Sequence, residues 1–312
     1  MDYVLCADAL CKQYKHFKAL DNLSLHIPKG AIYGLVGKNG AGKTTLIRLI
    51  CGLQSPTAGS YTLYGVRHDR PAILASRRRM GAVVETPSIY LDLTARENLI
   101  EQYLVLGLPS FDGIDDLLEL VGLADTGKKK AKNFSLGMRQ RLGIAVALAG
   151  DPDFLVLDEP ANGLDPEGII EIRELILKLN TESGITILIS SHILDELSKL
   201  ATHYGFIHKG RIVQEISAAQ LEASCRRSLC VTVSDSRALS VAMEEKGLEY
   251  QILSDTQAEI YNDITITELV DALSPKECIV YSASFREEGL EKYYMNLIAE
   301  KQAAEQNVTD NN

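Results

Sequence analysis

The chain has 312 residues, enough for about two domains, and 46% of them are hydrophobic, which excludes wholesale disorder. Lys and Arg number 32 against 42 Asp and Glu, a net charge of −10 that argues against broad nucleic-acid binding, though not against a local basic patch. The opening Met1-Asp2-Tyr3 has no basic stretch leading into an apolar one, and no apolar run of about 18 residues follows, so neither a secretory signal nor a membrane span is expected. Six cysteines stand at positions 6, 11, 51, 225, 230 and 278; the Cys6/Cys11 and Cys225/Cys230 spacings lack further zinc ligands, and reduced thiols are expected.

In chain order, residues 1–65 read as strands and turns around one strong motif. Ala31 to Val36 is apolar and reads as a buried strand, and Thr45 to Ile50 opens a helix. Between them, Gly37-Lys38-Asn39-Gly40-Ala41-Gly42-Lys43-Thr44-Thr45 fits the phosphate-loop pattern G-x-x-x-x-G-K-[ST]. Glycine lets backbone close around phosphates, because no Cβ stands in the way. The N–H groups of the loop and of the helix N-terminus then point at the anion. Lys43 is expected on the β- and γ-phosphates, and the Thr44 hydroxyl on Mg²⁺.

Met80 to Val84 reads as a buried strand ending at Glu85. From Thr94 to about Leu123 the pattern is helical, with Thr94 and Glu97 spaced as a capping box. Lys128-Lys129-Lys130 with Lys132 reads as a solvated basic loop, and Ser135 to Ala149 as a helix. Phe154 to Leu157 and Ile185 to Ile189 are short apolar runs typical of buried parallel strands, with a helix (Pro166 to Leu179) between them. Strands alternating with helices indicate an α/β domain, which ends near residue 216 after a hairpin-like Phe206 to Val213. The helical subdomain spans about 86–150. Over 217–300, strand-like runs (229–233, 249–253, 258–261, 277–283) alternate with helix-like runs (236–246, 265–273, 287–300), an order that suggests a small α+β, ferredoxin-like accessory domain. Residues 301–312 are polar and read as a flexible tail.

Leu155-Val156-Leu157-Asp158-Glu159-Pro160 is an apolar strand ending in two acids. Adjacent carboxylates repel unless a cation or a task holds them there. With a phosphate loop in the same domain, a division of labour follows: Asp158 holds Mg²⁺, and Glu159 polarises the water that attacks the γ-phosphate. In Phe134-Ser135-Leu136-Gly137-Met138-Arg139-Gln140-Arg141, Ser135 is placed to cap a helix and Gly137 to allow close backbone approach. A helix N-terminus beside basic residues is a second phosphate-binding device. One domain does not readily wrap one ATP with both devices; two copies facing head to tail, each closing the other's site, resolve this.

Taken in order, these motifs over about residues 3–216 resemble the nucleotide-binding subunit of an ATP-binding-cassette (ABC) transporter. The resemblance makes Gly37 to Thr45 the Walker A loop, Asp158-Glu159 the end of Walker B and Ser135 to Arg139 the family signature, with Ser135, Gly137 and Met138 at the nucleotide. It likewise implies that Tyr14 stacks on adenine, that Asp165 in Asn162-Gly163-Leu164-Asp165 belongs to the D-loop, and that His192 in Ser190-Ser191-His192 is the switch histidine contacting the γ-phosphate. The cofactors it implies are ATP and Mg²⁺, and the partners are separate multi-span membrane subunits and a second copy of the ATPase domain, on the inner face of the cell membrane.

Glu85 departs from the family pattern, which usually has the Q-loop glutamine there; the resemblance places it at the nucleotide and among the metal ligands. A carboxylate adds negative charge beside Mg²⁺ and γ-phosphate, and is expected either to bind the metal more strongly or to take up a proton. Leu136 and Met138 also differ from the commoner glycine and glutamine of the signature. These variants resemble the bacitracin-resistance and lantibiotic-immunity branch, which pairs such subunits with ABC-2-type membrane proteins. Gly289-Leu290-Glu291-Lys292-Tyr293-Tyr294 resembles a closing helix motif of such exporter ATPases. The leading expectation is the ATPase subunit of an exporter for a peptide antibiotic or another amphiphile, docking its membrane partner through Thr86 to Leu104. Two alternatives stand beside it: an ABC ATPase acting on ribosomes or DNA, and a non-catalytic nucleotide-dependent regulator. A single cassette without a long heptad run counts against the first, and Lys43, Asp158, Glu159 and His192 together count against the second.

Overall fold

The computed structural model describes residues 2–224, 227–261, 264–287 and 290–309; Cys225, Gly289 and the last three residues, 310–312, all named above, lie outside them. The chain divides into two units, Met1–Ala218 and Ala219–Asn312, two residues beyond the boundary expected from sequence.

The first unit opens with β1 (Tyr3–Tyr14), β2 (Phe17–Pro28), β3 (Ile32–Val36) and α1 (Lys43–Ile50). There follow β4 (Ala58–Leu63), β5 (Val66–Arg67), α2 (Ile73–Arg77) and β6 (Met80–Val83). A helical stretch comes next: α3 (Ala95–Leu106), α4 (Ile114–Leu120) and α5 (Leu136–Leu148). The unit continues with β7 (Phe154–Asp158), α6 (Pro166–Thr181), β8 (Thr186–Ser191), α7 (Leu194–Ser198), β9 (His203–His208) and β10 (Arg211–Ser217). Helix α8 (Ala218–Ser224) crosses the boundary between the units.

Two sheets make up this unit, one in the order β2-β1-β4-β5 and one in the order β10-β9-β3-β8-β7-β6. Strands β3, β7 and β8 are buried along their whole length and pair in parallel, which explains their unbroken apolar sequences. Their C-terminal ends lie along one sheet edge, where open α/β sheets bind ligands. The β9–β10 hairpin turns through Lys209 and Gly210, both at positive φ (47° and 77°), the backbone of a tight type I′ turn. The Gly210 N–H donates to the Ala41 carbonyl at 2.9 Å, so this hairpin braces the phosphate loop.

The helical pattern after Thr94 is two helices: α3 stops at Gly107 (φ 68°), and α4 starts after Pro109 and Gly113. Thr94 and Glu97 form the capping box read from sequence. Lys128, Lys129 and Lys130 are exposed.

The second unit continues with β11 (Arg227–Val233), α9 (Ser236–Lys246), β12 (Tyr250–Ile252), β13 (Gln257–Ile260), α10 (Ile266–Leu273), β14 (Val280–Glu287) and α11 (Leu290–Thr309). Its strands form one antiparallel sheet in the order β12-β13-β11-β14. Leu229, Val231, Leu239, Met243, Ile260 and Leu269 form its core. The buried Glu259 carboxylate accepts from Lys292 of α11 and from the Tyr261 hydroxyl. Burial pushes this carboxyl up, but Lys292, Tyr261 and Cys230 outweigh it and hold it below its ordinary value.

Two sequence expectations change here. Strand β14 starts at Val280 rather than at 277, because Ser274–Lys276 forms a 3₁₀ turn and Glu277 takes a left-handed conformation. Helix α11 runs through 301–309, which had read as tail; Lys, Gln, Ala and Glu dominate that stretch, and all four are good helix formers.

Candidate nucleotide site

The phosphate loop leaves β3 at Val36 and enters α1 at Lys43. Its glycines have distinct physical reasons. A Cβ on Gly37 would lie 2.6 Å from both the backbone oxygen and the side chain of Ile207. Gly42 has φ 113°, a conformation L side chains rarely adopt, and a Cβ there would lie 2.7 Å from the Ala19 carbonyl. Gly40 (φ 80°) has open space around it, so it serves turn geometry and leaves backbone accessible to a ligand.

Lys43 is 5% exposed and donates to the Gly37 carbonyl at 2.5 Å. Its ammonium also lies 3.1 Å from Glu159 Oε1. The other oxygen of that carboxylate, Oε2, is 2.6 Å from His192 Nδ1. Glu159 thus bridges the phosphate-loop lysine and His192. It leaves β7 at a left-handed φ of 52°, with its N–H donating to the carbonyl (3.1 Å) and the hydroxyl (3.0 Å) of Ser190 on β8. Such a conformation costs energy in a non-glycine residue and persists where neighbouring structure determines it. Here β8 does so. Asp158 is buried beside it and accepts from the Ser190 hydroxyl. Ser190 therefore orders both acids, a role sequence reading missed; the parallel register Asp158↔Ser190 is what makes it possible.

Thr44 and Thr45 are half-buried in the first turn of α1. Glu85 follows β6 with φ 61° and is ion-paired with Arg48 of α1, Nη2 to Oε1 at 2.6 Å. Arg48 was not among the sequence candidates; its only sequence signal is its place one turn after Thr44. Tyr14 ends β1, donates its hydroxyl to Gln54 and has the Lys12 ammonium 5.2 Å from its ring centroid.

The signature residues form a separate group. The Ser135 hydroxyl accepts from the Met138 N–H at 3.2 Å and caps α5. A Cβ on Gly137 would come within 3.8 Å of Leu164 and 3.9 Å of Gly168, and one on Gly163 within 3.3 Å of Leu136. Asp165 caps α6 by accepting from the Gly168 N–H at 3.1 Å. The signature and the 162–165 loop therefore pack together. The Asn162 N–H donates to the Glu159 carbonyl at 3.1 Å, so backbone joins this group to the Lys43–Glu159–His192 cluster.

The first group suits a nucleoside triphosphate: a glycine cradle at a helix N-terminus, a buried ammonium, and a carboxylate and an imidazole at the same sheet edge. For Mg²⁺, one threonine hydroxyl, one buried carboxylate and phosphate oxygens are the hard donor set that ion takes. Among the described residues no helix is long and apolar enough to cross a membrane.

The ABC transporter family profile matches residues 20–162. The bacitracin transport ATP-binding protein BcrA of Bacillus licheniformis is 41% identical over 303 residues, covering 96% of this chain and 98% of that protein. The lantibiotic transport ATP-binding protein SrtF of Streptococcus pyogenes is 45% identical over 206 residues, 66% of this chain and 87% of that protein. Among solved structures, a dimeric ATP-binding cassette in a post-hydrolysis state with ADP and Pi matches with a TM-score of 0.63 and 25% identity, over 69% of this chain and 98% of that one. The cassette CbiO1 of Clostridium perfringens matches with a TM-score of 0.64 and 27% identity, over 72% and 92%. A cassette fold carrying this site, with relatives aligned over nearly the whole length, leads to one conclusion: the chain belongs to the ABC transporter family, as an ATP-binding and ATP-hydrolysing subunit.

Proposed function

We propose that this chain drives a membrane exporter of peptide antibiotics or similar amphiphiles by hydrolysing ATP between two head-to-tail copies of its first unit. The observation that carries the reading is the bridge from Lys43 through Glu159 to His192. Lys43 donates to the Gly37 carbonyl and pairs with Glu159. A γ-phosphate competes for that ammonium and frees the Glu159 carboxylate to accept a proton from the attacking water. His192 holds the same carboxylate from its other side and keeps it aimed at the sheet edge. Thr44 and Asp158 would hold Mg²⁺, which would neutralise phosphate charge.

Tyr14 stacks on adenine, and Ser135, Gly137, Met138 and Asp165 of one copy close the site of the other. The names of the BcrA and SrtF relatives support peptide-antibiotic transport as the task. Separate ABC-2-type membrane subunits form the translocation path, with this chain peripheral on the inner membrane face. The second unit is a ferredoxin-like accessory domain; its β-α-β-β-α-β order and its β12-β13-β11-β14 sheet support that assignment.

The test is co-purification of the tagged chain from membranes, with ATP turnover measured in the product. A stoichiometric multi-span protein and Glu159-dependent hydrolysis are expected. Recovery with ribosomes, or alone with no membrane protein, overturns the exporter reading.

A further inference from the structure

Glu85 and Glu159 follow the C-terminal ends of two neighbouring parallel strands. Strands β6 and β7 pair Val83 with Leu157, and each glutamate lies two residues further on (83 to 85, 157 to 159). Both take left-handed backbone, at φ 61° and 52°. Two like charges after strand ends on the edge that receives a polyanion work against its binding. The structure gives each carboxylate its own cation, and both cations come from α1: Lys43 for Glu159 and Arg48 for Glu85. The two pairs differ in setting. Lys43 is buried, whereas the Arg48 and Glu85 side chains are 34% and 55% exposed.

We propose that Arg48 is a positioning residue for ATP binding: its ion pair draws the Glu85 carboxylate toward α1 and offsets its charge, so that the chain binds a triphosphate despite a third acid at the sheet edge. The proposal rests on the ATP-binding reading of the site above. Because α1 also carries Lys43 and Thr44, the pair ties the segment after β6 to the helix that holds the phosphates. Exposed pairs are weak and salt-screened, so the effect is modest and falls as ionic strength rises.

The experiment is a double-mutant cycle on the full chain with Arg48→Met, Glu85→Gln and both together, plus Arg48→Lys. ATP affinity is measured by direct titration, and hydrolysis by steady-state kinetics. Arg48→Met is expected to raise Kd and KM for ATP about threefold to fivefold, with a smaller change in kcat. Arg48→Lys restores most of the affinity, since it keeps the charge. On the Glu85→Gln background, Arg48→Met shifts Kd by less than about twofold. Raising the ionic strength narrows the difference between backgrounds. Equal shifts on both backgrounds, or no shift on either, overturn the proposal. A wild-type chain that binds ATP without turnover overturns the ATPase reading instead, while the binding cycle still decides the role of Arg48.

Discussion

The two groups of candidate nucleotide residues in the first unit are held in opposite ways. Around the phosphate loop, side chains from α1, the end of β7 and the loop after β8 engage one another: Lys43 with Glu159, Glu159 with His192, Asp158 with Ser190. At the head of α5 the polar groups are engaged only locally, Ser135 with Met138 and Asp165 with Gly168, and Leu136 is 48% exposed. Charge satisfied inside the unit preorganises the chemistry. A capped helix N-terminus with exposed neighbours is ready to meet a surface that the same unit does not supply. The difference is what a site shared between two copies requires.

The largest expected effect comes from breaking the internal group. Glu159→Gln removes the proton acceptor but keeps the shape, so turnover falls about 10²–10⁴-fold while ATP binding persists. Light scattering in ATP then reports an accumulating dimer; a monomer with normal turnover refutes the head-to-tail arrangement.

A sharper test pits one group against the other. Lys43→Ala abolishes ATP affinity, and Ser135→Ala leaves affinity intact but suppresses turnover. Mixing the two inactive variants forms hybrid dimers with one intact composite site, and hydrolysis returns. If each site is built within one copy, the mixture stays inactive.

The smallest effect touches only the scaffold. Thr94→Ala removes a cap and lowers stability by about 1 kcal/mol, a melting shift of about 2–4 °C, with no change in ATP affinity at the phosphate loop. The backbone N–H and then the hydroxyl of Thr94 hold the Glu97 carboxyl below its ordinary value of 4.5. A depressed carboxyl contributes stability above its unfolded pKa and loses it as pH falls through the folded one. The stability difference between wild type and Glu97→Gln is therefore constant at neutral pH and shrinks below about pH 4.5. Chemical denaturation at several pH values measures it.

Much of the site was legible because its residues are neighbours in sequence. Gly37 to Thr45 and Leu155 to Glu159 each encode a strand and the turn that ends it, and local conformation places their side chains. The Thr94 and Ser135 caps were readable for the same reason, since a cap spans only three residues. Contacts between distant segments left no such trace. The Arg48–Glu85 pair joins residues 37 apart, Ser190 reaches Asp158 across 32, and Gly210 braces Ala41 from the far end of the unit. Polar composition also misled at 301–309, where helix-forming residues continue α11 without an apolar run to announce it.

By itself the sequence determined the order of strands and helices, the phosphate cradle and the identity of the acids, because periodicity, glycine placement and motif spacing are local properties of the chain. Tertiary structure alone decided which cation each acid receives, which strand end sets the backbone of Glu159, and which groups stand apart. Those outcomes depend on strand register and sheet order, and register is fixed by packing between segments distant in sequence.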